Sequence, residues 1–95
     1  MNKAIWKFPI EAPGREQTTD IKMPAKTKIL GVQNNPALPS EGAIYAVVNS
    51  GAKPEAYVSR RFHVCGTGWA LPEAKHIYVG SWQHEGFIWH VLEIL

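Results

Sequence analysis

A chain of 95 residues has room for one domain, and so short a domain buries only about two-thirds of its unfolded surface. Its net charge is +2 and no basic run exceeds Arg60-Arg61, which argues against nucleic acid as a partner. Cys65 is the only cysteine, so no disulfide framework is possible and a reducing compartment is expected.

Met1–Lys7 has no apolar core of a secretion signal, and no segment reaches the roughly 18 apolar residues of a membrane helix. The expected setting is therefore cytoplasmic, with no membrane partner.

Apolar residues recur at period two, and β-branched and aromatic types fill the runs, which is strand patterning. Strands are predicted at 3–9, 18–23, 27–35, 43–49, 56–65, 76–83 and 87–94. Between them lie turn residues: Ala12-Pro13-Gly14, Asn35-Pro36 with Pro39, Asn49-Ser50-Gly51 with Pro54, and Gly66-Thr67-Gly68. Pro72-Glu73-Ala74-Lys75 is read as a single helical turn, and His84-Glu85-Gly86 as a hairpin loop. The spacing predicts an all-β fold, a single-domain antiparallel sandwich or small barrel of about seven short strands without substantial helix.

The last two strands are apolar on both faces. Phe87, Trp89 and Val91 point one way and Ile88, Leu92 and Ile94 the other, while Tyr78 and Trp82 share a face by the same alternation. A strand of that kind needs cover on both sides. A second copy of the chain would supply it, and so would loop 36–42 or loop 67–75 folded over the outer face.

Candidate binding residues gather around one turn. Glycines flanking Thr67 can align backbone N–H groups toward an anion, so Gly66, Thr67 and Gly68 form the expected nest. Arg60, Arg61 and His63 lead into it, and an arginine adds a bidentate contact to phosphate or carboxylate. Trp69 follows in the loop and Trp82 lies downstream; either indole suits a flat ring. The alternative site lies on the other sheet face, around Tyr45 and Gln33.

Catalysis finds little support. The phosphate-loop signatures are missing, and Cys65 sits between a valine and a glycine at a strand end. Only Asp20 and Glu93 are acids within strands, and Glu93 is expected to be partly buried and paired with a lysine or arginine. No paired cysteine or histidine spacing suggests a metal, and no cofactor is expected.

The order of several short motifs is also informative. Ile5-Trp6-Lys7, Met23-Pro24 before Lys28-Ile29-Leu30, Arg61-Phe62 before Gly66-Thr67-Gly68, Tyr78-Val79-Gly80, and Trp89-His90-Val91 with Glu93 span nearly the whole chain. In this order they resemble a family of short phage and prophage proteins known only as a domain of unknown function. Tyr45-Ala46 and Ser81 are mild departures from its pattern. The resemblance implies a phage origin, expression in the bacterial host cytoplasm, and no inherited catalytic residue.

That setting suggests a homo-oligomer that sequesters an anionic, aromatic, nucleotide-derived immune signal without cleaving it. The alternatives are an accessory protein that inhibits a host bacterial protein, or a virion component. These readings rest on analogy, since fold does not fix function.

Overall fold

The computed structural model describes residues 2–95. Seven antiparallel strands follow in chain order: β1 (Lys3–Ile10), β2 (Thr18–Pro24), β3 (Lys28–Asn34), β4 (Gly42–Asn49), β5 (Tyr57–Gly66), β6 (His76–His84) and β7 (Phe87–Ile94). They form two sheets, β1-β4-β3 and β2-β5-β7-β6. Each strand lies within one residue of the bounds its alternation predicts. The all-β reading holds.

Alternation on the inner faces builds the core. Ile10, Met23, Ile44, Phe62, Val64, Trp82 and Val91 are buried together between the sheets. On β1 the pattern is regular: Trp6 and Phe8 turn partly inward, while Lys3, Ile5 and Lys7 stay exposed. At the hairpin between β6 and β7, Glu85 and Gly86 have φ of 49° and 84°, the pair of positive values that a type I′ turn requires.

The single 3-10 turn of the described residues is Pro54–Ala56, not the helical turn expected at 72–75. The reason is the path of the chain. β5 and β6 both run antiparallel to β7, which lies between them, so residues 67–75 must cross β7 from one end to the other. The segment runs from the level of Trp89 to that of Ile94, a rise of roughly 17 Å, and its first residues are already taken up by the turn at 66–69, so the remainder follows an irregular path without a helical turn.

This crossover also covers the outer face of the sheet. Leu92 and Cys65 point away from the core, yet both are buried, at 2% and 3% exposure. Leu92 is therefore packed by its own chain, as the loop-cover alternative proposes. Ile88, on the same face of β7, remains 41% exposed.

A second departure concerns Trp82. The β6–β7 register shifts between Tyr78 and Gly80, so Val79 is a bulge and every later side chain on β6 changes face. Tyr78 lies outside opposite Leu92, whereas Trp82 lies inside opposite Trp89.

Candidate functional site

The residues singled out from sequence separate into three groups. Arg60 belongs to the framework. Its Nε and Nη2 donate to the two Glu93 carboxylate oxygens at 2.6 and 2.8 Å, and Nη1 donates to the Thr27 carbonyl at 2.6 Å. This bidentate pairing with a buried carboxylate raises the guanidinium's pKa and commits three of its N–H donors to the fold. Glu93 is thus buried and paired with an arginine, as its apolar strand implies. Trp82 is likewise structural: it is 2% exposed and its Nε1 donates to the Ser40 carbonyl at 3.3 Å.

Arg61 and His63 share the outer face with Cys65 but differ in environment. Arg61 Nε donates to Asp20 across the strand pair at 2.9 Å, and this hydrogen bond lowers the pKa of the exposed Asp20 carboxyl. The pair is open to water, so it holds Arg61 only weakly. His63 is buried. Its Nε2 lies 3.4 Å from the Gln17 amide nitrogen, and its Nδ1 has no hydrogen-bond partner.

Desolvation, aided by nearby His76, lowers the His63 pKa below the ordinary 6.5. The unfolded chain therefore binds this proton more readily than the folded chain. The stability that neutral His63 contributes is fully present above pH 6.5 and is lost as pH falls through the folded-state value. Thermal unfolding followed between pH 7.5 and 5 should show a decline in Tm that His63→Gln flattens; an unchanged slope in that variant would assign the decline to another group.

The third group does come together. Gly66, Thr67, Gly68 and Trp69 form a tight turn closed by the Trp69 N–H donating to the Gly66 carbonyl at 3.1 Å. Gly68 occupies its third position at φ 90°, a conformation that glycine adopts without strain. The turn spends the Trp69 N–H internally.

The turn also walls a cleft. Cys65 and Leu92 join Trp69, Leu71, Tyr78 and His90 around a space of about 230 Å³. Trp69 is held edge-on to Trp89, 5.6 Å between ring centres, and stays 48% exposed. His90 is the polar centre: its Nε2 is 2.8 Å from the Thr67 hydroxyl and its Nδ1 2.8 Å from the Tyr78 hydroxyl. A neutral imidazole donates from one nitrogen and accepts at the other, so the two hydroxyls take complementary orientations. The cleft offers one indole, one phenol and a connected set of hydrogen-bonding groups.

The chain belongs to the DUF7352 family. That family is described as a domain of unknown function, and its model matches residues 1–94. Neither the curated proteins nor the solved structures yield a match. The functional reading of this DUF7352 member therefore rests on its own residues.

Tyr78 and His90 were missed by sequence reasoning as members of the site. The available signal was their outward parity on neighbouring strands, obscured at β6 by the bulge. A larger groove of about 460 Å³ runs between residues 9–19 and Glu41, but its charged lining is Glu11, Glu16 and Glu41. An anion would be repelled there. Cys65 is no nucleophile candidate, since burial pushes its thiol pKa up and disfavours the thiolate. Among the described residues, no three His, Cys, Asp or Glu side chains gather as metal ligands.

Proposed function

We propose that this chain is a non-catalytic capture protein whose cleft takes the flat ring of a small, nucleotide-like molecule and holds it unchanged. The observation that carries this reading is the half-exposed Trp69 indole, fixed by a tight turn beside the Thr67–His90–Tyr78 hydrogen-bonded chain. An indole face suits any base, and hydroxyl and imidazole groups suit the heteroatoms on a base's edge. Arg61, on the same sheet face and held only by an exposed pair, is the arginine free to meet a charged portion.

In a phage-infected bacterial cytoplasm, such binding would withdraw a nucleotide signal from host immunity. The test is thermal shift against a panel of signalling nucleotides, followed by mass spectrometry of ligand released on heat denaturation. An unchanged ligand supports capture, and a converted one overturns it. Trp69→Ala should weaken binding about tenfold or more, since base stacking contributes on the order of 1–3 kcal/mol. Affinity equal to wild type in Trp69→Ala would place the ligand elsewhere.

A second reading, inhibition of a host bacterial protein, is favoured by the exposed apolar side chains Leu71, Tyr78 and Ile88 around the same mouth. It predicts no thermal response to any nucleotide and a host protein that co-purifies stoichiometrically.

A further inference from the structure

We infer that His90 makes the cleft selective for a flat ring that carries both an N–H donor and a carbonyl acceptor, and closed to rings that only accept. That selectivity presupposes capture in this cleft, and it names the class of ring taken. The cleft holds about 230 Å³, below the roughly 300–1,000 Å³ of sites that surround a whole small ligand. One ring system enters, and a sugar or phosphate stays outside.

Among the described residues, no Lys, Arg, Asp or Glu lines the cleft. The indole nitrogen of Trp69 is turned against the backbone: a Cβ added to Gly66 would lie 3.1 Å from it. The side-chain polar groups left to read a ring are the Thr67 hydroxyl, the Tyr78 hydroxyl and the His90 imidazole that joins them. Leu71 and Leu92 supply apolar walls, where a polar atom without a partner costs more than in water.

The two hydroxyls are coupled through the imidazole, each 2.8 Å from one of its nitrogens. A neutral imidazole has a single N–H, so one hydroxyl receives it and the other gives its proton to the bare nitrogen. The giving hydroxyl faces a ligand with lone pairs alone, and the receiving one keeps its O–H to donate. Exchanging tautomers swaps these roles but never frees both protons. A ring with acceptors only therefore always meets one oxygen that cannot pair with it, and so does a carboxylate or phosphate. A phenol is a stronger donor than an aliphatic alcohol, so Tyr78 donates to Nδ1 and Nε2–H donates to Thr67, whose own O–H remains for the ligand. The ring's N–H belongs at Tyr78 and its carbonyl at Thr67.

Titration followed by the Trp69 indole resonance, at about pH 8 where imidazole is ordinarily neutral, compares inosine with 1-methylinosine and uridine with 3-methyluridine. Each methyl replaces the one N–H of its ring. The parent nucleosides should bind about tenfold tighter or more, the effect of leaving an acceptor unpaired. Methyl bulk alone would give the same preference, so Tyr78→Phe decides. Without the phenol oxygen, the two members of each pair should bind within about threefold of one another. Thr67→Val should instead weaken parent and methylated nucleosides alike, by about tenfold, and keep the preference. Equal affinity for both members in the wild type, or a preference that survives Tyr78→Phe, overturns the inference and leaves capture in the cleft standing. If no nucleoside moves the Trp69 resonance, capture at this site fails and the selectivity falls with it.

Discussion

Arg60→Ala is expected to lower unfolding free energy by about 3–5 kcal/mol, the usual cost of removing one partner from a buried ion pair. Glu93 has a side chain only 8% exposed, and in that variant it would keep its charge without the guanidinium that compensates it. The Thr27 carbonyl would lose its donor in the same step. A domain of this length has roughly 5–14 kcal/mol of total stability, so urea denaturation should show a large shift in midpoint. Arg61→Ala, removing an exposed pair, should leave the midpoint close to that of wild type. Arg60→Met combined with Glu93→Leu should recover most of the loss, because no charge is then left buried. Were Arg60→Ala to denature like wild type, Arg60 would return to the list of ligand contacts.

Trp82→Ala should cost a further class of stability, about 3–5 kcal/mol, by emptying the space its ring fills in the core. A reciprocal substitution makes the test specific. A Cβ placed on Gly42 would lie 2.4 Å from the Trp82 ring, so Gly42→Ala alone forces the indole or the strand to move. In the Trp82→Ala background the same Gly42→Ala change meets open space and should be neutral or mildly stabilising. Denaturant unfolding of the two single variants and the double variant measures the coupling. Additive losses would mean that ring and glycine do not share this space.

Strand positions were legible because alternation, β-branched runs and turn residues agree along the whole chain. Glu93 stood out too, as the one carboxylate inside an apolar strand, although its arginine was first assigned to a ligand. Two features were not legible. The bulge at Val79 moves Trp82 from the outer face to the core, and its one sign in the sequence, Gly80 within a strand, does not say where the register slips. The route of residues 67–75 depends on which strands pair, which is a long-range property. Without that route Leu92 looked uncovered, and Tyr78, His90 and Leu71 had no reason to meet. The Gly-Thr-Gly turn was found from its glycines, and the structure adds that it positions the Trp69 indole.

The crossover over β7 also sets an order of events during folding. β7 is laid between β5 and β6, yet it follows both in the chain. Until residues 87–94 are available, β5 and β6 each present an unpaired edge toward an empty lane one strand wide. Such edges invite pairing with another chain. The sheet cannot grow strand by strand as a nascent chain emerges; the local β6–β7 hairpin has to join β5 through the strand that comes last. Distant pairings of this kind place folding in the millisecond-to-second range. Substitutions in β7 should therefore slow refolding as well as speed unfolding, whereas those at the edge strand β1 should act mainly on unfolding.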